Sequence, residues 1–299
     1  MRRKFATLMA SAALCLGHAS PATAAPAAPT VVDGKKVSAN VFTWQVGILL
    51  RAPTQSRSDA TIHCGGVLIS PRHVLTAAHC VDSKSKEAQQ REPFLAHPRE
   101  QMSVVVNATN IRTDGTVHGV ARIVVHPMWK KTGTYLNYDA AILELDGNVA
   151  GTPIRISRRL VEASLGSAWV SGWGVTESGA ESSHLIAATV PIVDSNECVL
   201  DNDYGGRITN QMFCAGKKAG GPDSCSGDSG GPLVVGRLGA TQLIGLVSWG
   251  HGCGAENNYG VYTRLSQMLR WIATETGRAA VFTSEQPGPL FTIPDDGEI

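Results

Sequence analysis

The sequence predicts an all-β protein whose last element is a single α-helix. Short segments rich in Val, Ile and Leu recur along the chain, and Gly, Pro or polar residues separate them. Sustained helical periodicity is missing from the interior of the sequence. Short, evenly punctuated segments of this kind are typical of β-barrels or β-sandwiches.

Each half of the chain contributes strand-like segments, and the helix follows them. The clearest segments lie at residues 46–50, 65–70, 103–108 and 121–127 in the first half, and at 167–174, 187–193, 231–236 and 242–250 in the second. In residues 265–277, Leu265, Leu269, Ile272 and Thr276 recur at helical spacing, and Gly277 can end the helix. This segment is the predicted C-terminal helix.

Composition and charge limit the classes of partner. The 299 residues are 43% apolar and 17% charged, with a formal net charge of +1. Such a chain can bury a full core, but it has no basic field that would attract nucleic acid. No long apolar run follows the N-terminal leader, so a membrane span is not predicted either. We expect a monomer with neither nucleic acid nor membrane as a partner.

The N-terminus has the pattern of an export signal. Arg2, Arg3 and Lys4 precede an apolar run over residues 5–17, and Ala22 and Ala24 provide the small residues of a cleavage site. We therefore predict a signal peptide over residues 1–24, a short propeptide over 25–30, and a secreted or periplasmic location.

The cysteines fit this compartment. Removal of the leader leaves an even set of six, at Cys64, Cys80, Cys198, Cys214, Cys225 and Cys253. In an oxidising compartment, six cysteines favour three disulfides, but the sequence allows fifteen pairings. The adjacent His63 and His79 suggest zinc as an alternative, yet the spacing does not fit a zinc motif. We predict no metal and no cofactor.

The chain ends in an acidic segment, residues 279–299. It contains four acidic residues, three prolines and no Lys or Arg. That composition favours an unstructured, exposed tail. A docked or partner-binding segment is the alternative.

A serine in the stretch "DSCSGDSGGP" (residues 223–232) is the candidate nucleophile. A serine hydroxyl needs a neighbouring base and a third group that orients the base. His79 in "VLTAAHC" and Asp139 in "NYDAAILEL" are residue types that can supply these groups for Ser229. Taken singly, each has an ordinary structural explanation.

The α/β-hydrolase class is an alternative, because "GDSGG" also fits its Gly-x-Ser-x-Gly elbow. Those enzymes place the acid and then the histidine after the serine. Here only 70 residues follow Ser229 (299 − 229), and His251 is the sole histidine among them. The strand and helix alternation of that fold is also missing, so this alternative is rejected.

Five motifs occur in the order of one known family. "LTAAHC", "GWG", "GDSGGP", "SWG" and "GVYTR" together resemble the trypsin and chymotrypsin family of serine endopeptidases. The resemblance runs from Val31 to about Arg278 and defines a predicted peptidase domain, residues 31–278. It implies two antiparallel six-stranded β-barrels, a C-terminal helix and a catalytic triad between the barrels.

The same resemblance implies the catalytic roles. His79 is the general base and then the general acid, Asp139 orients it, and Ser229 attacks the scissile carbonyl. The main-chain amides of Gly227 and Ser229 form the oxyanion hole. A catalytically silent relative that serves as a binding module is the alternative from another class.

Asp223 corresponds to the aspartate at the base of the specificity pocket in trypsin-like members. A carboxylate in a narrow, partly desolvated slot favours Arg or Lys before the cleaved bond. Polypeptides with these residues are the expected substrates, and protein protease inhibitors are possible partners. The resemblance implies further substrate-binding residues around the slot: Ser224, Ser248, Trp249, Gly250 and Gly260. For Trp249, core packing is an equal alternative.

The resemblance also implies a zymogen. In the family, a cut frees an N-terminal ammonium that pairs with the aspartate before the nucleophile, here Val31 and Asp228. Two departures affect this expectation. Asp33 stands where the family usually has glycine, and Thr30 before Val31 is not a site for a trypsin-like activator. We therefore expect either that another protease makes the cut or that the cut falls at a different bond.

The remaining expectations concern disulfides, loops and ions. The resemblance implies the pairs Cys64–Cys80, Cys198–Cys214 and Cys225–Cys253. Two loops, residues 51–63 and 81–102, are longer than in compact members; they either border the cleft or form solvated surface decoration. The family's calcium loop is not expected, because residues 107–119 contain one carboxylate, while Tyr259 is a weak signal for sodium.

Overall fold

The computed structural model describes residues 34–51, 55–82, 99–132, 135–176, 179–200, 204 and 206–293. The predicted signal peptide, the propeptide and Val31 lie outside the described residues, as do residues 83–98 of the second long loop. They stay predictions.

The described part of the chain is dominated by short β-strands. The first ten strands are Lys35–Lys36 (β1), Gln45–Leu50 (β2), Thr61–Ser70 (β3), His73–Thr76 (β4), Met102–Val106 (β5), Thr116–His118 (β6), Val120–Val125 (β7), Lys130–Thr132 (β8), Tyr135–Asn137 (β9) and Ala141–Leu145 (β10). The next eight are Arg155–Ser157 (β11), Ser167–Gly172 (β12), Ile186–Pro191 (β13), Met212–Ala215 (β14), Pro232–Val235 (β15), Gln242–Trp249 (β16), Gly260–Arg264 (β17) and Phe282–Thr283 (β18).

The N-terminal half forms one antiparallel sheet in the order β6-β5-β2-β3-β4-β10-β7. Six of these strands have four or more residues, and β6 is a three-residue addition at one edge. Their inward side chains are aliphatic, including the fully buried Val46, Ile48, Leu68 and Leu143. Burial of these β-branched and leucine side chains holds the curled sheet together.

The C-terminal half repeats the arrangement around its own core. The order β13-β12-β15-β16-β17-β14 contains its six longer strands, all antiparallel. A β-bridge between Ile192 and Ala215 returns β14 to the end of β13, which closes the barrel. The two-residue strands β1 and β18 and the three-residue β11 are added outside it. The predicted all-β fold with two six-stranded barrels is confirmed.

The C-terminal helix is present over Leu269–Glu275 (α2), after a 3-10 turn at Leu265–Gln267. Ile272 and Leu265 are buried. Gly277 follows with a φ of +58°, a left-handed conformation that suits glycine after a helix end. The predicted helix is therefore confirmed, although its first turn is 3-10. A second short helix, Ser195–Leu200 (α1), precedes β14.

No helix among the described residues combines the length and the apolar character needed to cross a bilayer.

Residues 279–293 do not form an exposed tail. Strand β18 pairs in parallel with β11, Phe291 packs against Phe42 and Trp169, and Ile293 is buried. The expectation of an unstructured tail is therefore wrong for these residues. The segment docks because apolar side chains within it pack against a complementary surface, although its overall composition is acidic and proline-containing. Residues 294–299 lie outside the described part of the chain.

Candidate active site

His79 and Asp139 meet in the N-terminal barrel. His79 lies in the 3-10 turn Ala78–Cys80 that follows β4, and Asp139 lies just before β10, the strand beside β4. The imidazole Nδ1 is 2.8 Å from Asp139 Oδ2, and the His79 main-chain N–H donates to Asp139 Oδ1 at 2.9 Å. A carboxylate at Nδ1 keeps the proton there, so Nε2 is the nitrogen that can act as a base.

Asp139 is buried and is held by residues of the second barrel as well. Ser248 Oγ, on β16, donates to Asp139 Oδ2 at 2.6 Å. Thr263 Oγ1, on β17, donates to the Asp139 carbonyl at 2.8 Å. Sequence reasoning placed Ser248 only beside the substrate and missed Thr263. Their places in "SWG" and "GVYTR" were the signal that could have found this role.

Ser229 lies in the turn before β15, where both barrels hold its backbone. The Gly65 N–H, on β3, donates to the Ser229 carbonyl at 2.8 Å. The next residue, Gly230, donates its N–H to the Val247 carbonyl at 2.8 Å. The side chain of Ser229 is half-buried and lines a cavity. The predicted nucleophile is thus fixed at the junction of the barrels and open on one side.

The turn before Ser229 presents main-chain N–H groups. Gly227 has a φ of +95°, and a Cβ there would lie 2.9 Å from the Gly174 Cα, so glycine is required. The Asp228 N–H donates to the Cys225 carbonyl at 3.0 Å. Within the described residues, the N–H groups of Gly227 and Ser229 donate to no acceptor. Two such free amides beside a nucleophile can stabilise an oxyanion.

Beside Ser229 lies a cavity of about 270 Å³ that has Asp223 in its lining. Asp223 is 5% exposed; its Oδ1 accepts from the Ser224 N–H at 2.8 Å, and its Oδ2 accepts from the Gly254 N–H at 2.9 Å. Burial raises the pKa of Asp223 to about 6, and these amides oppose the rise. The lining therefore contains an anion that can be neutralised by a long cationic side chain.

Small residues and a disulfide shape the walls of this cavity. A Cβ on Gly260 would lie 2.8 Å from Asp223 Oδ1, so any side chain there would fill the space in front of the carboxylate. Gly250 also lines the cavity. The disulfide Cys225–Cys253 joins the two segments that face each other across it. These residues leave a narrow slot open to Asp223.

Asp228 is fully buried behind the nucleophile. Its carboxylate accepts N–H groups from Gly174 at 2.8 Å and Cys225 at 2.9 Å. Burial raises the pKa of Asp228 to about 6, and the nearby charge of Asp223 adds to the rise. Among the described residues, no Lys, Arg or His forms an ion pair with it. A buried carboxylate in this situation is costly without a cation.

An open strand edge borders the slot. Strand β15 pairs with β16 only as far as Leu246. Along the same edge of β16, no described strand pairs with the stretch from Ser248 to Gly250. Trp249 lines the slot, and its ring also meets Tyr204 edge-on at 5.3 Å. Trp249 therefore packs against the protein and also lies at the open strand edge. A substrate backbone can pair with such an edge as an added strand.

The cysteines that could otherwise bind a metal ion are disulfide-bonded. The structure pairs Cys64 with Cys80, Cys198 with Cys214 and Cys225 with Cys253. His79 lies close to the first of these pairs, but the sulfurs of a disulfide are not thiolate ligands. At the suspected sodium site, the Tyr259 hydroxyl donates to Glu197 Oε1 at 2.5 Å.

Two β-barrels with a histidine, an aspartate and a serine at their junction define the class of chymotrypsin-like serine hydrolases. The sequence comparisons identify the family. Residues 31–272 match the family Trypsin. The chain is also 36% identical over 252 residues to coagulation factor IX of Oryctolagus cuniculus, across 81% of this chain and 82% of that protein. The chain belongs to the trypsin family and is a serine endopeptidase.

Proposed function

We propose that this endopeptidase hydrolyses polypeptides after Arg or Lys. The observation that carries the proposal is the buried carboxylate of Asp223 in the slot beside Ser229. A guanidinium or ammonium group entering the slot replaces lost solvation with a charge-assisted hydrogen bond, and Arg can make two of them. An uncharged side chain of equal length leaves the buried anion unpaired.

The chemistry proceeds through an acyl-enzyme. Ser229 Oγ attacks the scissile carbonyl carbon while its proton passes to His79 Nε2, and the amides of Gly227 and Ser229 receive the negative oxygen. His79 then gives that proton to the leaving amine as the C–N bond breaks. Water repeats the sequence on the ester, again with His79 as base. The products are a carboxylic acid, an amine and free Ser229.

We also propose that the chain is exported and activated by a cut before Val31. The leader over residues 1–24 supports export, and the buried Asp228 supports activation. The new ammonium of Val31 would neutralise Asp228 and hold the turn that presents the Gly227 amide. The active form is expected to be a monomer that protein inhibitors of this family can block.

The test uses the chain after processing. Its N-terminus is sequenced, and hydrolysis is compared for matched peptide amides that end in Arg, Lys or Phe, with Ser229→Ala as the control. We expect Val31 as the first residue, turnover of the Arg and Lys peptides, and no turnover by Ser229→Ala. Equal turnover of the Phe peptide would exclude the role of Asp223, and activity in Ser229→Ala would exclude the mechanism.

A further inference from the structure

We propose that residues 279–293 form a strap that positions the N-terminal segment, so that the ammonium of Val31 reaches Asp228. The strap is the docked C-terminal segment described above. The inference rests on the proposed activation before Val31 and adds a positioning element to it.

The first part of the strap is bound to the second barrel by main-chain hydrogen bonds. The Ile156 N–H donates to the Val281 carbonyl at 2.8 Å, and the Arg158 N–H donates to the Thr283 carbonyl at 2.7 Å. The guanidinium of Arg158 lies over the ring of Phe282, 5.3 Å from its centroid. This end of the strap is therefore anchored as an added strand.

The second part of the strap reaches the segment that follows the activation site. Trp169 Nε1, on β12, donates to the Phe291 carbonyl at 3.0 Å. The Phe291 ring lies 5.7 Å from the ring of Trp169 and 5.9 Å from that of Phe42. Phe291 thus contacts the second barrel and the N-terminal segment at once.

The end of the described strap lies against β1. Ile293 is 2% exposed and belongs to the same buried cluster as Val37. Lys35 Nζ donates to the Ile293 carbonyl at 3.4 Å. The start and the end of the peptidase chain are therefore packed together at this point.

The register of β1 determines whether Val31 can reach Asp228. Lys36 lies opposite Ile186, which lies opposite Gly172, and a Cβ on Gly172 would touch the Asp228 carboxylate. Two interstrand steps place Lys36 about 10 Å from Gly172. The four residues 31–34 span at most about 13 Å when extended, so the arm has little slack.

Strand β1 is weak by itself, since it consists of two residues at a sheet edge. If β1 detaches, the tether between Val31 and the first fixed residue grows from four residues (31–34) to six (31–36), because Val37 is buried and its N–H donates to the Leu185 carbonyl at 2.9 Å. The effective concentration of a tethered group falls with roughly the 3/2 power of tether length, which gives a loss of about 2-fold. The strap prevents this loss by holding Lys35 and Phe42.

The test measures how firmly the N-terminus is inserted. The alkaline limb of kcat/KM for an Arg peptide amide reports deprotonation of the Val31 amine, and its midpoint rises with the insertion constant. A 2-fold smaller constant lowers that midpoint by about 0.3 pH units. We expect this shift in a chain that ends at Gly288, and in the full chain with Phe291→Ser. Activity well below the midpoint should be retained.

Val281→Ser is the matched control, because Val281 lies in the strap and is 51% exposed. Its midpoint should equal that of the parent. Thermal unfolding of each variant at pH 10 separates the shift from loss of fold. If the shortened chain does not fold, Phe291→Ser and Lys35→Met make the same test by point substitution.

Failure of the strap and failure of the activation before Val31 give different results. An unchanged midpoint in folded Phe291→Ser and Lys35→Met would overturn the strap, and so would a shift that merely follows unfolding. A parent enzyme that lacks an alkaline limb, or begins at another residue, would instead overturn the activation on which the strap rests.

Discussion

Asp139 connects the two barrels at the scale of one side chain. Its carboxylate accepts from the His79 N–H, the Ser248 hydroxyl and, in the neutral Nδ1–H tautomer, the imidazole, while its own carbonyl accepts from Thr263. A carboxylate with this many donors has a fixed position in a buried site. It can therefore hold the orientation of His79 through the reaction.

Replacing Asp139 with Asn should lower kcat about 10⁴-fold, because the amide favours the wrong tautomer of His79. Ser248→Ala removes one of several donors and should lower kcat by roughly tenfold or less, consistent with about 1 kcal/mol for one hydrogen bond. Steady-state kinetics on an Arg peptide amide measures both effects. A loss in Ser248→Ala as large as that in Asp139→Asn would contradict this account.

Protonation of Asp223 should change the choice of substrate. Its pKa is about 6, so below pH 6 the slot increasingly contains a neutral acid. The ratio of kcat/KM for Arg over Phe peptides should then fall as the pH drops from 7 to 5. This ratio cancels any effect of pH that is common to both substrates. Asp223→Ser serves as the control, since its ratio should be low and independent of pH.

At the scale of elements, the stretch from 223 to 232 acts as one framework. The bonds that hold it include the disulfide to Cys253, the hydrogen bond from the Cys225 N–H to Asp228, and the hydrogen bond from the Gly65 N–H to the Ser229 carbonyl. The carboxylate of Asp223, the amides of Gly227 and Ser229 that we propose as the oxyanion hole, and the proposed nucleophile are therefore positioned together.

Removing the disulfide with Cys225→Ser and Cys253→Ser should lower the free energy of unfolding by about 2–4 kcal/mol. It should also raise KM for Arg peptides, because the walls of the slot are no longer joined. The pair Cys198→Ser and Cys214→Ser is the comparison, since neither residue lines the slot. Thermal unfolding and KM are measured on both. An equal rise in KM in both pairs would argue against a specific role in the slot.

The strap shows where an element was misjudged from composition. Acidic residues and prolines favoured an unstructured tail, yet Phe282, Leu290, Phe291 and Ile293 are the residues that dock. Apolar residues at irregular spacing carry no periodic signal, so the sequence could not show whether a receiving surface exists.

At the scale of the whole molecule, the site lowers stability at neutral pH. The folded state raises the pKa of Asp223 from 3.8 to about 6, so folding favours the protonated acid. Its contribution to stability is present below pH 4 and is lost as the pH rises through 6.

Asp223→Asn should therefore gain stability relative to the parent as the pH rises from 4 to 7. The gain is on the order of 1–3 kcal/mol, since one pKa unit corresponds to about 1.4 kcal/mol. Urea unfolding of both proteins at pH 4 and pH 7 measures it. Glu162→Gln, at a solvent-exposed position, is the control. Its difference from the parent in free energy of unfolding should not increase between pH 4 and pH 7. If Asp223→Asn differed from the parent by the same free energy of unfolding at both pH values, the predicted gain with rising pH would be refuted.

The sequence by itself determined the all-β class, the two-barrel resemblance and the chemistry expected of His79, Asp139 and Ser229. Strand patterns are local, and ordered motifs are specific in combination, so both are visible without coordinates. Only the tertiary structure decided that Ser248 and Thr263 hold Asp139, and that Phe291 and Ile293 dock. These contacts join residues separated by 109 to 258 positions. Such pairs form when the barrels bring distant surfaces together, and no local pattern encodes them.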